Sequence, residues 1–341
     1  MLAPASAEAY GEGHGDFPNM EERAVHLFTD RLRVDPDATD SDFSSYSPVA
    51  PLIYNADLTE AARFHADDMA VNGCFQHESC DGTEFGERLE RYYNGFAIGE
   101  NIALGSPDAQ SVVFEGWLYS PPHRDNMLRI DWRELGTGYA PGDNAMPLWV
   151  QDFGSRGNEV EPITTSAIHW PLYPAEESDL RFYLAVYDPD GEPEGATLFW
   201  RGASVAMDND RGSEGKQTYV VDVTSGPAAC QSYYFTLTRA DGSTVLYPSE
   251  GALQAPIGES QCEPWVGARA DEEREAGCGS GSRNEDFSGQ GCQTDPEDAG
   301  GPDENVSRED SYASCAIAPG SRASLWMIAA ALLLQLRRRK P

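Results

Sequence analysis

The chain has 341 residues, enough for two ordinary domains that each bury a core. Its 57 acidic against 24 basic side chains give a formal charge of -33, which repels a phosphate backbone or an anionic lipid surface, so no nucleic-acid partner is expected. A membrane is expected to be met only through a C-terminal tail or its processed anchor.

Residues 1–19 read as a signal-peptide remnant or a disordered start. They have neither a basic start nor an apolar stretch, but Ala5-Ser6-Ala7 and Ala7-Glu8-Ala9 look like small-residue cleavage sites. We therefore expect Met1 to lie inside an original signal peptide. From Met20 to Arg33, Ala24, Leu27, Phe28 and Leu32 recur at helical spacing with charges on the other side, which predicts an amphipathic helix. A second helix is predicted in "TEAARFHADDMAVNGCF", capped by Asp57 or Thr59. A third is predicted in "DAQSVVFEGWLYS", opened by Asp108 and closed by Pro121. Leu135 to Gly154 changes period and predicts two strands around the turn "PGDNAMP".

Beyond "DFGSRGN", short alternating runs such as "LRFYLAVYD", "TYVVDVT" and "SYYFTLT" are separated by turns, which predicts an all-β, immunoglobulin-like sandwich over 160–262. The turns "DPDGE" and "DNDRG" lack the ligand spacing and closing glutamate of an EF-hand loop. Residues 263–314, with 14 acidic against 4 basic side chains, read as an acidic, glycine- and serine-rich linker. Residues 315–341 form a tail in which a short apolar helix, Leu325 to Leu336, is stopped by the basic run Arg337 to Lys340.

The seven cysteines fall into three local couples, Cys74 with Cys80, Cys230 with Cys262 and Cys278 with Cys292, plus Cys315. No couple has C-x-x-C spacing, so disulfides and an exported setting are expected over metal thiolates, the alternative being reduced cysteines in a cytosolic protein. The order of Cys315, short apolar helix and terminal arginines resembles the MYXO-CTERM sorting tails of myxobacterial surface proteins. That resemblance implies processing or lipidation at Cys315 and attachment at the cell surface. A plain C-terminal membrane anchor is the other reading, and it also leaves the body outside.

Four motifs stand together in residues 20–157: "CFQHESCDG", "ERLERYYNG", "GENIALG" and "GWLYSPPHRDNML", followed by "LWVQDFG". The ordered set resembles a CAP (SCP/PR-1-like) domain of the bacterial type. The resemblance implies an α-β-α sandwich, for an α+β chain as a whole, and a cleft where two histidines can hold zinc. His77 matches the first histidine, Glu100 the first glutamate and His123 the second histidine. The family's second glutamate is replaced by Ser120. His77, Glu100, Ser120 and His123 are thus the candidate cleft, His77 and His123 the candidate metal ligands, and Glu100 a candidate catalytic carboxylate. Imidazoles ligate zinc and a nearby acid can orient a ligand or accept a proton. A buried His77–Glu100 pair that only fixes loop geometry explains the same residues.

Of the other histidines, His65 is expected in the core or at its edge, His26 facing solvent, His14 in the disordered start, and His169 at the opening of the sandwich. Trp117 is expected to pack the third helix on the sheet. Three functions remain open: a surface protein binding an extracellular lipid, peptide or glycan, a metal-assisted hydrolase of an extracellular polymer, and a structural or adhesive module.

Overall fold

The computed structural model describes residues 17–142, 146–157, 164–258, 262–267 and 269. The expected start, the couple Cys278 and Cys292, most of the linker and the tail with Cys315 lie outside the described residues. Helix α1 (Met20–Val34) starts at Asn19, whose side chain accepts from the Glu22 amide at 2.9 Å while Glu22 accepts from the Asn19 amide at 2.9 Å. Two amides of the first turn are thereby satisfied reciprocally.

A short strand β1 (Ile53–Tyr54) leads into α2 (Ala56–Asn72). The cap of α2 is Asn55, not Asp57 or Thr59. Asn55 is extended, at φ -133°, and its side chain reaches the Leu58 amide at 2.9 Å, whereas Asp57 and Thr59 already lie inside the helix. Next come α3 (Phe85–Glu90) and β2 (Ala97–Leu104). Asp108 caps α4 (Ala109–Ser111), which runs on as a π-helical turn, Val112–Trp117. Pro121 does more than end this segment: it opens a further helix, α5 (Pro121–Met127), where a missing amide hydrogen costs nothing.

Strands β3 (Glu134–Ala140) and β4 (Leu148–Ser155) form an antiparallel pair, as the sequence predicts, in a sheet of order β1-β3-β4-β2 where only β1 pairs in parallel. Alternation sorts their side chains. Leu135, Trp149 and Phe153 share a core with α1, α4 and α5, while Leu148 and Val150 face α2. Gly136 and Gly138 let α2 lie directly on β3: a Cβ there would stand 2.1 Å from the Leu58 carbonyl carbon and 2.3 Å from that of Ala62. Helices therefore cover both faces of the sheet.

The following strands are β5 (Thr164–Trp170), β6 (Asp179–Tyr187), β7 (Gly195–Trp200), β8 (Ala203–Ser213), β9 (Lys216–Thr224), β10 (Ala229–Thr238), β11 (Thr244–Tyr247), β12 (Ala252–Ile257) and β13 (Trp265–Val266). They make a nine-stranded sheet in the order β13-β12-β10-β7-β8-β9-β6-β5, with β11 also on β10. Strand β8 serves two ladders, pairing with β7 through Ala203 to Met207 and with β9 from Asp208 on. Phe182 and Leu184 of β6 meet Leu198 of β7 and Phe235 of β10 in one core. A disulfide from Cys230 to Cys262, with Cα atoms 5.5 Å apart, ties β10 to the chain beyond β12.

The described residues lie in one compact unit, and its two parts share apolar packing. Ile168, Tyr183 and Ala185 join Phe28, Trp117 and Trp149 in a single cluster. This corrects the reading of α1. One apolar stripe predicts one buried side, but α1 is packed between the four-stranded sheet and the strands β5, β6 and β9, so its charged side is buried too. His26, expected to face solvent, is 1% exposed, with Nε2 2.8 Å from the Leu52 carbonyl oxygen. Asp30 accepts from the Ser166 hydroxyl at 2.6 Å and the Leu52 amide at 2.8 Å, and Arg31 donates to Asp210 at 2.8 Å.

Candidate functional site

The loop "CFQHESC" leaves α2 through Gly73, whose φ of 70° is left-handed and suits glycine. A disulfide closes it from Cys74 to Cys80, with Cα atoms 5.8 Å apart. Three polar contacts fix its backbone. The Cys80 amide donates to Asp68 at 2.7 Å, the His65 Nε2 lies 3.0 Å from the Gln76 carbonyl, and Arg88 Nη1 donates to the His77 carbonyl at 2.7 Å.

The His77 ring stands half exposed with Nδ1 2.7 Å from Glu100 Oε1. Glu100, on β2, is buried, and its Oε2 receives Arg88 Nη2 in a close buried ion pair, with His65 Nε2 3.9 Å away. A carboxylate accepts only, so the neutral His77 ring carries its hydrogen on Nδ1 and turns Nε2 outward. The hydrogen bond to Glu100 raises His77 above the usual histidine range, against an opposing effect of burial. Burial instead lowers His65, which is thereby held neutral in the core.

His123 is brought up by α5. Its Nδ1 is 2.8 Å from the Ser120 hydroxyl, again leaving Nε2. Burial first, and then the charge of His77, lower it below the usual range. Strand β2 docks this helix: Asn101 donates to the His123 carbonyl at 3.1 Å, and Asn126 donates to the Glu100 carbonyl at 3.1 Å. Arg124 donates to the Leu118 carbonyl at 3.0 Å, and the Trp117 indole donates to that of Ile102 at 3.2 Å. Glu115 is exposed.

His77 and Glu100 thus touch, and Ser120 touches His123. The four do not close on a single point. Among the described residues, the side chains whose ligand atoms cluster within 4.8 Å of one another are Asp68, Cys74 and Cys80, and those sulfurs are already bonded to each other. Glu100 has both oxygens engaged by His77 and Arg88, so it stands behind a histidine as an orienting group instead of beside an open position as a base. The donor set nevertheless fits a zinc ion held by two imidazoles: each Nδ1 is taken by an oxygen partner and each Nε2 is left over, which is how ligating histidines are commonly oriented.

Sequence reasoning missed Arg88 and Asp152, although both lie in motifs quoted above. Arg88 sits in "ERLERYYNG" between residues of ordinary solvated type, and only the fold shows it fully buried. Asp152 is the register partner of Glu100 across β2 and β4 and is likewise fully buried. Elsewhere, Asp188 and Asp190 of "DPDGE" are both bound by Arg239, and Asp210 of "DNDRG" by Arg31 and Thr218, so arginines occupy these turns. His169, at the end of β5, is buried between the Tyr233 hydroxyl and the Leu172 carbonyl, and burial pushes it down to about 3.

The first part of the chain is thus a four-stranded sheet covered by helices on both faces, with a histidine–glutamate hydrogen bond at its edge strand β2. Residues 28–153 match the family model described as "CAP: Cysteine-rich secretory protein family". Among curated proteins, 91 residues are 37% identical to the uncharacterized membrane protein YlbC of Bacillus subtilis (strain 168), covering 26% of this chain and 26% of that protein. A stretch of 104 residues is 31% identical to the uncharacterized protein YkwD of the same organism, covering 30% of this chain and 39% of that one. The chain therefore spans well under half the length of the curated relatives it matches. Similar solved structures include an outer surface protein from Borrelia burgdorferi (22% identity, TM-score 0.34, 41% of this chain and 96% of that one). Another is an extracellular SCP-domain protein from Bacillus anthracis str. Ames (25% identity, TM-score 0.30, 39% and 41%).

Proposed function

We propose that the chain is an exported, surface-attached protein whose CAP domain binds an extracellular ligand, a lipid, peptide or glycan, at the cleft formed by His77 and His123. The observation that carries this reading is the pair of rings with both Nδ1 atoms engaged and both Nε2 atoms left for a ligand. A zinc ion would be held by His77 and His123, and when bound it supplies a Lewis-acid site for an anionic group of the ligand. Glu100 orients His77, and Arg88 fixes both Glu100 and the His77 backbone. Hydrolysis is the weaker reading because each oxygen of the carboxylate in contact with His77 already accepts from a protein donor. The disulfides favour the exported setting, and attachment is assigned to the tail from Cys315. The strand-rich part, read as an immunoglobulin-like sandwich, would hold the cleft away from that attachment.

Zinc titration of the full chain at neutral pH tests the cleft. His77→Ala and His123→Ala are each expected to weaken binding at least about tenfold, and Glu100→Gln by about 10–100-fold through loss of orientation. Equal affinity in the wild type and both alanine variants would reduce "CFQHESC" to a loop of purely structural use.

A further inference from the structure

Asp152 is fully buried, and neither of its oxygens has a donor to accept from. Other buried acids are differently placed. Asp30 accepts from Ser166 and the Leu52 amide, and Glu134 accepts from Asn55 at 2.8 Å and Tyr93 at 2.5 Å. A buried carboxylate with no donor forfeits its hydration without replacement. Its surroundings make the point sharper. On one side β3 offers only Gly136, without a side chain, and on the other β2 offers Glu100. From the helix layer, Arg88 of α3 is engaged with Glu100, and His65 of α2, held neutral, also leans on Glu100. His77 takes the remaining Glu100 oxygen. The buried cation at this spot, Arg88, gives Nη2 to Glu100 and Nη1 to the His77 carbonyl, and its Nε, which has no partner, does not bond Asp152.

We propose that Asp152 is a neutral carboxylic acid that donates its proton to Glu100, so that the two form a one-proton carboxyl pair behind His77. Asp152 is then a positioning residue: it acts on the cleft by holding Glu100 as an acceptor aimed at His77 and Arg88. Written as an acid, Asp152 gains the hydrogen bond that it lacks as a carboxylate, and Glu100 gains a third donor. Burial, and next the charge of Glu100, push the Asp152 carboxyl well above the usual carboxylate range. The inference takes its functional meaning from His77 as the working group of the cleft, but its test needs neither zinc nor a ligand.

A carboxyl whose folded value is raised contributes stability that is fully present below its unfolded value of about 3.9 and is lost as pH rises through the folded value. Asparagine keeps a donor toward Glu100 and cannot ionise. Two measurements on the metal-free full chain test the proposal. Infrared spectra with 13C-labelled aspartate carboxyls are expected to show a protonated carboxyl band at neutral pH that disappears in Asp152→Asn. The urea midpoint of the wild type is expected to fall relative to that of Asp152→Asn as pH is raised from about 4 to about 8. Absence of the band in the wild type, which is readable even if the variant does not fold, would overturn the proposal. So would a wild-type midpoint that rises relative to the variant over the same range. Loss of zinc binding with the band intact would count against the cleft reading alone.

Discussion

Arg88→Ala is expected to lower the unfolding free energy by about 3–5 kcal/mol, the range for removing one partner of a buried ion pair. Arg88 and Glu100 each have side chains 1% exposed, and Arg88 also holds the His77 carbonyl at 2.7 Å. The alanine variant leaves the Glu100 charge without its cation, in a core where Asp152 already lacks a donor. By contrast, Arg181→Ala removes an ion pair whose side chains are half exposed, and should change stability by less than about 1 kcal/mol. Urea unfolding of both variants checks the contrast. A loss below about 1 kcal/mol for Arg88→Ala would mean that Glu100 does not depend on the pair.

Phe28→Ala should cost a similar amount, about 3–5 kcal/mol, because it empties a large core position. The position also joins the two parts of the described unit. The Phe28 ring packs at 5.5 Å from Phe114, in the helical part, and at 5.2 Å from Trp170 and 6.5 Å from Tyr183, in the strand-rich part. The expected result is one cooperative transition, shifted for helix and strand signals alike. Two separated transitions, with only one displaced, would show that the parts fold independently and that the shared cluster contributes little.

The sequence made α1, α2, the segment opened by Asp108 and the antiparallel pair of the first part legible from their periods, but not the short helices α3 and α5, and its ordered motifs led to His77, Glu100 and His123. What it concealed has a common physical origin. Periodicity assumes that a helix has one dry side, and α1 has two, so His26 and Asp30 look like surface residues until the strands β5, β6 and β9 are placed against them. The same holds for Arg88 and Asp152. Their identities suggest solvent, and only the close approach of α2 to the sheet at Gly136 and Gly138, together with the placement of α3, puts them in the interior beside Glu100. Asn55 was hidden differently: Asp57 and Thr59 are equally good cap residues by type, and the choice depends on where the backbone leaves β1.

Glu100, as acceptor, holds the His77 hydrogen on Nδ1 and leaves Nε2 for the proposed cleft. Nitrogen-15 NMR of the histidine rings in the metal-free full chain, followed through pH, measures this directly. The Glu100 bond stabilises the charged ring, so His77 should titrate above the reference value of about 6.5 and His123 below it. Above its midpoint, His77 should show a protonated Nδ1 and an Nε2 with a free lone pair. A His77 midpoint at or below about 6.5 together with the Nε2–H tautomer would contradict the account, since the ring would then present a hydrogen to the cleft where a ligand needs a lone pair.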